Sequence, residues 1–180
     1  MTLHGLTETV DIDQGERDID VINLVNLGQI AKYGPMGLTT VTFEGYALEA
    51  GSIAAGAATG FWDFFASNPV IDSAEPQAIS ISNSATRFRV TILWTDEVAA
   101  TAASEQIETG SKCKRFVMAD CICSACKDSF TDGILKTTLV FKGANFNVAG
   151  VARVKMESKD GTGGALAALG SYVPGTTAWA

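Results

Sequence analysis

The sequence predicts a mainly β protein, an antiparallel β-sandwich or barrel with one or two short flanking α-helices. Three observations carry this expectation. Apolar and polar residues alternate with a period of two in several separate stretches, which gives each a core face and a wet face. Turn signals containing glycine fall between those stretches. With 18 glycines and only 4 prolines, the chain favours loops and close packing over long helices.

Taken in order, residues 1 to about 8 read as an N-terminal arm and Thr9 to Ile12 as a short strand. The acidic turn Asp11-Ile12-Asp13-Gln14-Gly15-Glu16 follows, and Ile19, Val21 and Leu24 resume an apolar rhythm. Gly34-Pro35-Met36-Gly37 reads as a turn. Leu38 to Tyr46 is a strand with Val41 and Phe43 on one side and Thr40, Thr42 and Glu44 on the other. Residues 47–60 are small and aperiodic and read as a long loop, a length that in compact domains is usually functional or disordered. The aromatic run Gly60 to Ser67 reads as one short helix ending before Asn68-Pro69.

Ala78 to Ser82 and Thr86 to Thr95 follow as strands. In the second, Phe88, Val90, Ile92 and Trp94 oppose Arg87, Arg89 and Thr91. Glu97 to Thr109 is Ala-rich and acidic at its start, which suits a short helix. Phe116 to Cys126 returns to strand. The stretch Cys126 to Ser158 then reads as the organising hairpin. Leu135, Thr137, Leu139 and Phe141 share one face of its first strand, and Lys136, Thr138 and Lys142 the other. In its second strand Ala152, Val154 and Met156 alternate with Arg153, Lys155 and Glu157. Asp132-Gly133 supplies a tight turn before the first strand, and Gly143-Ala144-Asn145 separates the two. Leu166 to Tyr172 reads as one helical turn within a Gly-rich tail, 161–180.

The totals bound the function. A chain of 180 residues reads as one domain, 1–180, with an arm, a loop and a tail. Hydrophobic content of 47% with 18% charged residues places it among ordered proteins. A net charge of −7 argues against a nucleic-acid binder, because grip on phosphate backbones rests on Lys and Arg. No secretory pattern is present, and the longest uncharged run, Gly161 to Ala180, is too poor in large apolar residues to span a membrane. The expectation is synthesis in a cytoplasm with free thiols.

Four motifs invite chemistry and each has a simpler reading. Cys121, Cys123 and Cys126, with Cys113 upstream, are spaced too tightly for paired zinc knuckles, and small core thiols fit a strand better. Asp11-x-Asp13-x-Gly15 lacks the acidic twelfth ligand of a calcium loop, since Ile22 stands there; an acidic turn suffices. Gly161-x-Gly163-Gly164 has no following Lys-Ser/Thr and reads as a linker rather than a phosphate cradle. His4, the one histidine, sits in the arm, and the expectation is no catalytic residue, no metal and no cofactor. The cluster Phe61, Trp62, Phe64 and Phe65 reads as core before partner surface.

Two stretches are familiar as residues. Val21 to Tyr46 (VINLVNLGQIAKYGPMGLTTVTFEGY) and Ser129 to Gly161 (SFTDGILKTTLVFKGANFNVAGVARVKMESKDG) together resemble phage tail tube proteins, also called major tail proteins, and the inner-tube proteins of contractile injection systems. The resemblance covers about a third of the chain. It implies a structural virion protein whose β domains close into rings, hexameric in that family, and stack into a hollow tube for DNA. The implied location is the virion tail, assembled in the host cytoplasm. Implied partners are copies of itself and tail proteins such as the terminator, tape measure and baseplate, with DNA passing unbound and no membrane.

Under that reading the candidate contacts between copies are Leu48, Ala50, Ile53, Ala54 and Ala58 in the loop, Leu3 in the arm and Tyr172 in the tail. Asp11, Asp13, Asp18 and Asp20 are candidates for an acidic lumen wall, and Lys136, Lys142, Arg153 and Lys155 for the outward face of the central hairpin. The competing expectation is a β-sandwich binding module, such as an adhesin or another tail or baseplate component. A small enzyme or metal protein using the cysteine strand is the third.

Overall fold

Eight strands run through the chain: β1 (Leu6–Asp13), β2 (Arg17–Asn23), β3 (Gln29–Met36), β4 (Thr39–Tyr46), β5 (Arg87–Thr95), β6 (Lys112–Thr131), β7 (Ile134–Gly143) and β8 (Val154–Asp160). They come from a computed structural model that describes residues 6–24, 28–46, 85–95, 112–160, 166, 169–170 and 172–176. The fold is mainly β, as the alternation predicts, and no helix occurs among the described residues. The expected loop 47–60, the strand Ala78–Ser82 and both expected helices lie outside them. The helical turn expected at Leu166 to Tyr172 is not supported where it is described: Leu166 is a lone bridge residue, and Leu169, Gly170 and Tyr172 are coil.

Strands β1, β4, β7, β6 and β5 are hydrogen-bonded in that order, β8 also pairs with β6, and β2 and β3 form a separate two-stranded sheet. The pairings of β6 with β7 and with β8 are antiparallel. The chain divides into two units, one of residues 1–12, 41–88 and 122–142, the other of residues 13–40, 89–121 and 143–180.

In the first unit, β6 turns into β7 through Asp132 and Gly133, both left-handed, with φ of 54° and 79°. Two consecutive positive φ values make the mirror-image turn that matches strand twist, which is why Asp-Gly stands there. Thr137, Leu139 and Phe141 of β7 are buried, as alternation predicts. The Phe141 ring meets Phe43 and Phe88 edge-on, with centroids 5.9 and 5.6 Å away. The Thr137 hydroxyl donates to Asp128 at 2.6 Å, so its burial leaves no polar atom stranded. Across the strands, Lys136 reaches Glu8 at 2.7 Å and lies 5.3 Å from the Tyr46 ring.

In the second unit, β6 from Cys113 to Cys121 is buried almost without interruption; only Lys114 is exposed. A strand covered on both faces shows no alternation, and here Phe116, Val117, Met118 and Ala119 are all fully buried. Arg115, only 2% exposed, is held by Glu157 across the β6–β8 ladder, Nε to Oε2 at 2.9 Å. Burial alone would raise the Glu157 carboxyl. Hydrogen bonds from Lys155 and Arg115 outweigh that and hold it below the usual range.

This pairing corrects the expected organising hairpin. β7 and β8 are not partners of one another; both pair with β6, which is the organising strand. The faces of β8 are corrected too. Met156 is exposed, whereas Arg153 and Glu157 are half-buried, because their charges close ion pairs with Asp120 and Arg115 of β6.

Asp120 sits where β6 changes partner. The β8 ladder ends at Met118–Val154, and the β7 ladder begins at Ile122–Lys142. Its φ of 56° is unusual for a non-glycine residue. Its buried carboxylate accepts from Arg153 at 3.0 Å, the Gly175 amide at 2.9 Å and the Tyr172 hydroxyl at 3.3 Å. Gly143 lies against this bend, and a Cβ there would come within 3.2 Å of the Cys121 Cβ. The C-terminal segment is tied down further by the Arg89 guanidinium donating to the Gly170 carbonyl at 2.5 Å, and by Leu166 packing on Cys113 and Leu93.

Removing one member of a buried ion pair strands the other, at about 3–5 kcal/mol. Asp120→Ala is therefore expected to lower stability by about that amount in urea unfolding, with Asp120→Asn, which retains an acceptor, costing less. Equal and small losses for both would contradict the role assigned to this carboxylate.

Candidate interaction surface

All four cysteines lie on β6. Cys113 and Cys121 are buried, and Cys123 and Cys126 are partly so. Burial pushes the Cys126 thiol up to about 12, with Asp128 and Cys123 adding to the effect, and burial raises Cys123 as well. Such thiols stay protonated at neutral pH, and the thiolate is the form that attacks or ligates. Among the described residues, no group of three or more His, Cys, Asp or Glu could hold a metal ion.

The acidic turn is built for backbone geometry. Gly15 donates its amide to Asp13 Oδ1 at 2.8 Å and has φ +73°; a Cβ there would lie 2.7 Å from the Leu38 carbonyl oxygen. Asp11, Asp13, Asp18 and Asp20 are all exposed. Tyr172 is engaged inside its own chain through Asp120; burial first, then the Asp120 charge, pushes its hydroxyl up to about 12. Leu3, Leu48, Ala50, Ile53, Ala54 and Ala58 lie outside the described residues. So do His4, the aromatic cluster and Gly161 to Gly164.

Two surfaces in the second unit stand out by exposing apolar side chains on ordered backbone. The first is the β2–β3 hairpin. Ile19 pairs with Tyr33, Val21 with Ala31 and Ile22 with Ile30. Opposed residues share a face, so Ile19, Tyr33, Val21 and Ala31 form one apolar face, with Ile22 and Ile30 beside Asp20 and Lys32 on the other. Tyr33 is 63% exposed and Ile19 54% on the first face, and Ile30 51% and Ile22 47% on the second, so both faces carry exposed apolar side chains. The expected turn at Gly34-Pro35-Met36-Gly37 is corrected here, since Gly34 to Met36 belong to β3. The register is irregular between Arg17 and Ile19, and Gly34-Pro35 lies opposite Asp18 there. Proline is tolerated because that stretch needs no ladder amide.

The second surface is the loop 144–153 between β7 and β8. Its tip exposes Phe146, Val148 and Val151, with Val148 fully in solvent. The alternation found in neighbouring strands gave no warning of this. Asn145, Asn147 and Gly150, turn-forming residues interleaved with apolar ones, are the signal that could have.

Comparison of the chain with protein-family models, curated proteins and solved structures finds no match.

The thiols supply a direct check. Cys123 and Cys126 are expected to react with an aromatic disulfide at pH 8 more than about tenfold slower in the folded chain than in denaturant. Fast reaction of either in the folded chain would contradict the protonated, shielded state.

Proposed function

We propose that this chain is a structural protein of a phage tail, whose copies close into rings and stack into a tube through which DNA passes. The observation that carries the reading is the β2–β3 hairpin. A two-stranded sheet on its own is marginal in water. This one leaves Ile19, Val21, Ile22, Ile30 and Tyr33 exposed, contiguous in the ladder and on both faces. Contiguous exposed apolar area marks an interaction surface. Fully burying an exposed aliphatic side chain contributes about 1.5–3 kcal/mol, and covering one that is already half-buried about half of that.

The charge supports the same reading. The net charge of −7 suits a conduit that must not hold DNA, with the exposed Asp11, Asp13, Asp18 and Asp20 as candidates for its wall. In this role the copies are hexameric rings, as in the family that the sequence resembles. They are assembled in the host cytoplasm, with other tail proteins such as the terminator, tape measure or baseplate as further partners.

Negative-stain microscopy across a concentration series tests this. Stacked rings with a central hole are the expected result. The variant Ile19→Ser/Tyr33→Ser, altered only at exposed positions, should raise the concentration needed for assembly by at least about tenfold. A small monodisperse particle at every concentration would contradict the tube and favour a binding module.

A further inference from the structure

The C-terminal segment is pinned to the second unit at separate points rather than woven into its sheet. Leu166, a lone bridge residue, is buried against Cys113 of β6 and Leu93 of β5. Gly170 accepts from Arg89 of β5, and Tyr172 and Gly175 donate to Asp120 of β6. The anchors thus follow β6 from Cys113 to Asp120. At the far end, the Thr176 amide donates to the Val173 carbonyl at 3.2 Å and closes a turn through Pro174 and Gly175, which has φ +84°. Pro-Gly is the sequence such a turn requires, and the turn presents the Gly175 amide to the carboxylate.

The grip of these anchors is light. Among the described residues, the segment contributes one buried side chain, Leu166, and bonds to two side chains of the unit, Arg89 and Asp120. Val173, Pro174 and Gly175 are exposed. Two buried side-chain atoms among the described residues have no hydrogen-bond partner, Thr91 Oγ1 and Arg153 Nε. Both belong to this site. Thr91 stands between Arg89 and Leu93 on the face of β5 that carries the anchors, and Arg153 holds Asp120. A buried polar atom without a partner destabilises the closed arrangement, and access of water relieves that cost. The sheet beneath stands without the segment, because β6 keeps its ladders to β7 and β8 and its place beside β5.

We propose that the C-terminal segment is a latch, anchored by Leu166, Gly170, Tyr172 and Gly175, that opens as one local unit and uncovers Cys113 and Cys121 while the sheet stays folded. Segments with few buried apolar contacts open at the low end of a protein's stability range. The two thiols lie beneath opposite ends of the latch. Cys113 is under Leu166, and Cys121 is close enough to Tyr172 to bear on its hydroxyl. Both are buried in the closed chain and become available to soluble electrophiles in the open one. The latch acts within a single chain and is independent of the tube reading.

The test follows alkylation of each cysteine of the full chain by N-ethylmaleimide, read by peptide mass spectrometry. Tyr172→Phe loosens one end of the latch and Leu166→Ala the other. Each variant is expected to accelerate both Cys113 and Cys121 by at least about fivefold and to leave Cys123 and Cys126 unchanged. The cross-effects decide the matter, because Tyr172→Phe reaches Cys113, and Leu166→Ala reaches Cys121, only if the two ends open together. Acceleration confined to the thiol beside the altered residue would overturn the latch. So would equal acceleration of all four cysteines, which marks global unfolding, or no acceleration in either variant.

Discussion

The buried carboxylate of Asp120 is the constraint around which the second unit is arranged. β6, 20 residues long, exchanges β8 for β7 as its ladder partner across a bend at Asp120. The bend needs a left-handed residue, and aspartate tolerates that conformation better than most because its short side chain bonds nearby backbone. The same side chain then gathers Arg153 at the start of β8 and Tyr172 and Gly175 near the C-terminus. One charged group therefore fixes both the entry into β8 and the docking of the terminal segment. The charge is affordable in the interior because Arg153 and the two hydrogen-bond donors replace its water.

With that frame in place, the loop 144–153 and the β2–β3 hairpin share an anchor rather than a packing surface. Asn145 fastens the loop to the backbone at Gln14 and Gly37, which bracket the hairpin. The core supplies stability to these bases and leaves the apolar residues beyond them uncovered. The interior takes up Phe116, Val117 and Met118 and leaves Ile19, Val21, Tyr33 and Val148 exposed. The proposed tube gives these residues a covering that the single chain does not provide.

Much of the fold was legible where chemistry is local. Asp132-Gly133 announced the β6–β7 turn, and alternation gave the faces of β4 and β7. The length of β6 was hidden because burial on both faces erases the period of two. β7 and β8 read as a hairpin because Gly143-Ala144-Asn145 is turn chemistry, yet it opens an excursion after which the chain returns to the same partner strand. β8 read inside out, because Arg153 and Glu157 are drawn inward by ion pairs that no hydrophobic pattern encodes. Gly34-Pro35 read as a turn and is a strand irregularity. Of the candidate site residues, the four aspartates are exposed, and Tyr172 hydrogen-bonds Asp120. The hairpin's apolar rhythm was visible in Ile19 and Val21, but periodicity cannot tell that these side chains are exposed.

Hydrogen–deuterium exchange of the hairpin amides, measured below and above the assembly concentration, tests the central claim most directly. Self-assembly through this surface predicts that residues 19–22 and 30–33 become strongly protected only in the assembled protein, while the β6 amides from Phe116 to Ala119 are protected in both. Unchanged exchange across the hairpin in particles that have nonetheless assembled would contradict it.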